Sequence, residues 1–111
     1  MEIKEHKEGN VIILEPNGRL DTNTSDEFEA KIVGLVDAGE LRLVIDLIHV
    51  DYISSAGLRV LLMTAKKLKS MNGSIALCSM SEHIKEVFDI AGFTPIFSIE
   101  HSRDEAIKIL Q

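Results

Sequence analysis

Residues 51–62 read Asp51-Tyr52-Ile53-Ser54-Ser55-Ala56-Gly57-Leu58-Arg59-Val60-Leu61-Leu62, three residues after a mostly apolar run from Leu41 to Leu47. The aliphatic and β-branched run predicts a strand, mostly apolar and central in a sheet. Beyond the two serines, Leu58, Leu61, Leu62, Ala65 and Leu68 recur at helical spacing, and Asn72-Gly73 stops the pattern. A helix therefore starts near Ser55. Serine hydroxyls at such a junction lie where unsatisfied backbone N–H groups meet the positive end of a helix dipole. Ser54 and Ser55 are both candidate caps, and an anion attached there is electrostatically tolerated, so the fold can carry a phosphoserine.

The flanking sequence repeats this strand–helix alternation. Residues 2–7 alternate weakly, and Gly9-Asn10 offers a turn into Val11-Ile12-Ile13-Leu14, predicting an antiparallel hairpin in which Pro16 either limits the second strand or marks a bulge near its end. Thr24-Ser25-Asp26-Glu27 reads as a capping box with Thr24 as the cap. It opens a helix with Phe28, Ile32, Leu35 and Val36 on one face and Gly39 at its end. After the Ser55 helix come a strand from Ser74 to Ser79 and a helix from Ser81 burying Ile84, Val87, Phe88 and Ala91. A short strand from Ile96 to Ile99 and a helix capped by Ser102 and Glu105, carrying Ala106, Ile107 and Leu110, complete the chain. The predicted order is ββαβαβαβα: an α/β fold with a mixed, mostly parallel sheet and right-handed crossovers. Residues 1–111 make one domain without linker or repeat.

Composition narrows the functional classes. Apolar content of 45% and charged content of 27% belong to a folded chain. Twelve basic against eighteen acidic residues give a net charge of −6, which disfavours nucleic-acid binding. The one basic cluster, Lys66-Lys67 with Lys69, reads as a solvated helix face. No signal peptide is expected, and no stretch approaches the ~20 apolar residues of a membrane span. Cys78 lies in an apolar run with no disulfide partner, so it reads as a small core residue in a reducing, cytoplasmic setting.

Catalytic patterns are sparse. His6, His49, His83 and His101 are scattered without metal-ligand spacing, and no glycine-rich phosphate loop occurs. No metal or cofactor is therefore expected. His49 is the histidine nearest the serines, but no nucleophile motif surrounds them. The reading is a binding protein. On the Ser55 helix, Val60 and Met63 flank the core stripe. They serve either as core margin or, with Arg59 between them, as a small docking patch beside the serine.

The serine run also resembles a motif of STAS-domain anti-sigma-factor antagonists (anti-anti-sigma factors). In those proteins a serine precedes Ser, Thr or Ala and then Gly-Leu at a helix start. In register, Ser55 takes the phosphorylated position, Ala56-Gly57-Leu58 the residues after it, and Ser54 the position usually held by aspartate; Arg59 stands where glycine is frequent. Gly18-Arg19-Leu20-Asp21, Val44-Ile45-Asp46-Leu47 and Phe88-Asp89-Ile90-Ala91-Gly92-Phe93 resemble further family segments, so the likeness spans nearly the whole chain. It implies a single STAS-like domain in a partner-switching pathway. The unphosphorylated form would bind an anti-sigma factor that is also a serine kinase, phosphorylation of Ser55 would release it, and a PP2C-type serine phosphatase would restore it. Partner contacts are expected from Asp21, Asp46, Ser54, Ala56, Gly57, Leu58, Arg59, Val60 and Met63, with both aspartates at strand ends opening on the face that carries Ser55. A second reading is a soluble STAS adaptor subunit of a lipid-transport or membrane-transporter complex, in which the serine only packs.

Overall fold

A computed structural model describes every residue from Met1 to Gln111. Strand β1 (Glu2–Glu8) turns at Gly9-Asn10 into β2 (Val11–Leu20), and the two pair antiparallel with Glu8 opposite Val11. Helix α1 (Thr22–Asp37) leads to β3 (Arg42–Asp46), then β4 (Val50–Ile53) and helix α2 (Ser55–Ser70). Strand β5 (Ser74–Cys78), helix α3 (Glu82–Ile90), a 3-10 turn at Thr94–Ile96, strand β6 (Ser98–Glu100) and helix α4 (Arg103–Leu110) follow. The main sheet runs β1-β2-β3-β5-β6, parallel except for β1, and β4 pairs with the far end of β2.

Side-chain alternation divides the core between the two sheet faces. Ile12, Leu14, Leu43, Ile45 and Leu77 pack with Phe28, Ile32, Leu61, Ile84 and Phe88 from α1, α2 and α3. Val11, Ile13, Val44, Ala76 and Cys78 face Ala106, Ile107 and Leu110 of α4. The α/β class, the hairpin and the four helices agree with the expectation, and Cys78 is fully buried.

Five local expectations are corrected. Strand β4 was not anticipated, so the observed order is ββαββαβαβα with a 3-10 turn. Pro16 does not end β2, which runs on to Leu20; of the two expectations the irregularity near the strand end is the one observed, and the strand changes partner across it. Ile12–Leu14 pair with β3, whereas Gly18–Leu20 pair with β4 across an irregular step at Gly18-Arg19. A residue without an N–H suits a point where the ladder is interrupted between two partners. The cap of α1 is Asp21 rather than Thr24: Asp21 Oδ1 accepts from the Asn23 and Thr24 N–H groups at 2.9 and 3.2 Å, and Thr24 Oγ1 accepts from the Asp21 N–H at 3.0 Å. Thr24 thus closes a reciprocal box from the third helical position. Finally, residues 94–96 form a turn in place of the start of β6, because Pro95 suits a helical first turn, and Ala91 is exposed at the end of α3.

Candidate functional site

Strand β4 sets Ser54 and Ser55 at one rim of the molecule. Leu20 pairs with Ile53, and the Ser54 N–H donates to the Leu20 carbonyl at 2.8 Å. Each strand then enters a helix, so the N-termini of α1 and α2 lie side by side, one capped by Asp21 and the other by Ser54. The Ser54 hydroxyl accepts from the Gly57 N–H at 3.4 Å, and the Ser54 carbonyl accepts from the Leu58 N–H at 3.0 Å. Ser55 is the first helical residue and is exposed. Its hydroxyl is spared the capping role, while N–H groups of the first turn still lack intrahelical acceptors.

The Ala56-Gly57-Leu58 segment is held down by the chain's own sheet. A Cβ added at Gly57 would lie 2.9 Å from Ile53 Cγ1 and 3.0 Å from the Leu20 carbonyl oxygen, so glycine lets α2 approach the β2–β4 ladder. Gly57, expected among the partner contacts, is instead buried against the chain's own sheet. Leu58 and Val60 are 7% and 1% exposed and belong to the core, which removes both from the expected contact set. Val60 is buried because α2 is covered on two sides, by the sheet and by α1. Arg59 remains exposed, Ala56 and Met63 are half-buried, and Arg59 and Met63 line a shallow concavity with Leu62 and Lys66.

The two aspartates separate. Asp21 stands at the rim next to Ser54, with Arg19 Nε 3.6 Å from its Oδ2. Burial alone would raise its pKa, but hydrogen bonds from Asn23 and Thr24 and the positive charge of Arg19 outweigh that and hold the carboxyl below its ordinary value. Asp46 is elsewhere. In register it lies beside Glu15, five residues before Leu20 and so roughly 16 Å along β2 from the rim. It points to the opposite sheet face, where Arg103 of α4 donates to Asp46 Oδ2 at 2.9 Å and reaches Glu15 Oε1 at 3.1 Å. Asp46 Oδ1 accepts from the Ile48 N–H at 3.1 Å. Only 4% exposed and fully engaged, Asp46 does not open on the Ser55 face. His49 turns toward Glu15 at 3.7 Å, away from a base role at the serine.

Sequence reasoning missed Arg19 and Tyr52 as a pair. They are opposite one another on β2 and β4, and the exposed Arg19 guanidinium lies 4.0 Å from the Tyr52 ring centroid. The pair gives the rim a cation stacked on an aromatic plate. Its only signal in the sequence is the β-forming Val50-Asp51-Tyr52-Ile53 run, unreadable as a pair without the register.

A family model described as STAS domain matches residues 2–106. BtrV of Bordetella bronchiseptica, provisionally named an anti-sigma factor antagonist, is 41% identical over 106 residues, covering 96% of this chain and 91% of its own length. The anti-sigma-B factor antagonist of Bacillus subtilis is 30% identical over 92 residues, covering 82% of this chain and 83% of its own. The crystal structure of tm1081 from Thermotoga maritima, described provisionally in the same terms, superposes with a TM-score of 0.93 at 24% identity, over 97% of this chain and 93% of that one.

Proposed function

The chain belongs to the STAS domain family, and from that premise we propose that it is an anti-sigma factor antagonist switched by phosphorylation of Ser55. The observation that carries this reading is the division of labour between the two serines. Ser54 holds the helix start, leaving Ser55 exposed with a hydroxyl that the fold does not use. A kinase can take that oxygen without breaking a cap. The relatives at 41% and 30% identity bear antagonist names, which favours an anti-sigma factor as the partner.

The unphosphorylated rim presents Ser54, Ser55, Ala56, Arg59 and Asp21 to that partner, and Arg19 on Tyr52 extends the same face. The chain acts by occupying a surface and performs no catalysis of its own. The partner is itself the serine kinase, and a PP2C-type serine phosphatase resets the switch; both act in the cytoplasm. A phosphate adds close to −2 charge at pH 7. In the free protein that charge is solvated and favoured by the α2 dipole. In the complex it would be desolvated against the partner, and an uncompensated buried charge costs several kcal/mol. Phosphorylation therefore dissociates the complex without refolding the domain.

A titration of the anti-sigma factor from the same cells, with wild type and Ser55→Asp, tests the proposal. A loss of affinity of a hundredfold or more in the variant is expected, together with a single phosphate on Ser55 after incubation with the partner and ATP. Equal affinities, or a phosphate placed on Ser54 by peptide mass spectrometry, would reject it.

A further inference from the structure

We propose that the exposed side of α2, from Arg59 to Lys69, is a second docking groove that receives an acidic amphipathic helix. In the antagonist this helix belongs to the same protein partner that covers Ser55, and that assignment alone rests on the function proposed above. Two adjoining hollows of about 250 and 380 Å³ share Leu62 and Lys66 and run from the second turn of α2 to the 3-10 turn before β6. Their floor is apolar: Leu62, Ala65 and Ile75, with Ile96 left 49% exposed at the far end.

The rim has the opposite sign to the rest of the molecule. Arg59, Lys66 and Lys69 border the hollows and enter none of the ion pairs of the fold, whereas Lys67, on another side of α2, pairs with Asp37 of α1 at 3.3 Å. Three free cations around one groove, in a chain of net charge −6, make a local positive field over an apolar floor. The eleven residues from Arg59 to Lys69 span roughly 15 Å, the length of about three turns of a guest helix. Such a guest would place apolar anchors at i, i+4 and i+7 on the floor and its Asp and Glu against the rim. The groove is also continuous with the switch, since Arg59 is one turn beyond Ser55.

Two other occupants fit this surface less well. A bilayer needs a protruding apolar face, whereas these apolar side chains line hollows below a basic rim. A two-fold pair of copies would set the same three cations against each other.

The probe is a labelled 14-residue peptide, held helical by a hydrocarbon staple on its outer face, with leucines at i, i+4, i+7 and i+11, glutamates at the positions flanking them and alanines elsewhere, titrated into isotope-labelled protein. Amide shifts are expected at Leu62, Ala65, Ile75 and Ile96, weakening steeply with salt. Lys66→Glu/Lys69→Glu should lose tenfold or more in affinity, while Lys4→Glu/Lys108→Glu, with the same net charge, stays within twofold. Shifts elsewhere, no binding, or equal losses in both double variants would overturn the groove. So would Lys66- and Lys69-dependent sedimentation with phosphatidylserine vesicles, or a concentration-dependent dimer that protects this face. With the anti-sigma factor as titrant, Lys66→Glu/Lys69→Glu should weaken binding at least tenfold, while the phosphate added at saturating partner still falls on Ser55. If only Ser55→Asp weakened that complex, the switch would stand and the groove would fall; if only the lysine variant did, the groove would stand and the switch would fall.

Discussion

Ser54 and Ser55 are chemically identical neighbours with different physical work. Ser54 sits outside the helix with extended backbone, so its side chain can turn back to the Gly57 N–H; Ser55 is already helical and projects outward. The two alanine variants should therefore differ. Ser54→Ala is expected to lower stability by about 0.5–1 kcal/mol, the weaker half of cap energies, because its bond is 3.4 Å long. Ser55→Ala should change stability by less than about 0.5 kcal/mol, as exposed substitutions do. Urea unfolding of both variants checks the assignment, and the reverse ranking would make Ser55 the cap. Ser55→Ala should also retain its partner, since only one oxygen leaves the rim.

At the scale of elements, α1 and α4 show how single side chains fix whole helices. Asp21 caps α1 with a carboxyl held below its ordinary pKa by the Asn23 and Thr24 hydrogen bonds and by Arg19, against the opposing effect of burial. Folding thus favours the ionised form. Its stabilisation is complete above the ordinary carboxylate value near pH 4 and is lost as pH falls from there through the lowered folded value. The stability difference between wild type and Asp21→Asn should be constant above about pH 5 and shrink on acidification, measured by thermal unfolding across pH 2–7. A difference independent of pH would show that the charge contributes nothing to the cap.

Helix α4 is tied to the sheet by Arg103, which lies between the nearly buried Asp46 and Glu15. Removing its guanidinium leaves two carboxylates with little water and no cation. Arg103→Ala should cost about 2 kcal/mol, below the range for a fully buried pair because the arginine is partly exposed. Its denaturation midpoint should fall with the slope unchanged. Behind the same cluster, burial foremost pushes the Cys78 thiol up to about 11, and the nearby Asp46 charge adds to it. The thiol is accordingly protected from alkylation at neutral pH while the protein stays folded.

Across the whole molecule, the switch and the fold are separable. A phosphate on Ser55 gains roughly 0.3–1 kcal/mol from the α2 dipole and is opposed by Asp21 across the rim. With Asp46 withdrawn to the other face, Asp21 is the one acidic strand end left at this rim. The opposing effects are of similar size, so phosphorylated protein should melt within a few degrees of the unmodified form yet bind the anti-sigma factor a hundredfold or more weakly. Calorimetric scans paired with titrations measure both quantities. A steep fall in melting temperature would point to a conformational mechanism instead.

Local chemistry wrote much of this protein into its sequence. Helical spacing placed α2, since Leu58, Leu61 and Leu68 must share one buried stripe, and the Gly9-Asn10 turn fixed the hairpin. The serine run marked the helix start, because caps act within one turn of the chain. Tertiary structure alone decided the rest. Strand β4 is four residues long and exists through its pairing with the end of β2, a partner thirty residues away in the chain that no local pattern reveals. Val60 became core because α1 covers a second side of α2, and helical periodicity cannot count how many neighbours a helix will have. Asp46 left the site for the same kind of reason. One step of strand alternation and a five-residue offset in register sent its carboxylate through the sheet to Arg103, and both are properties of pairing between distant segments.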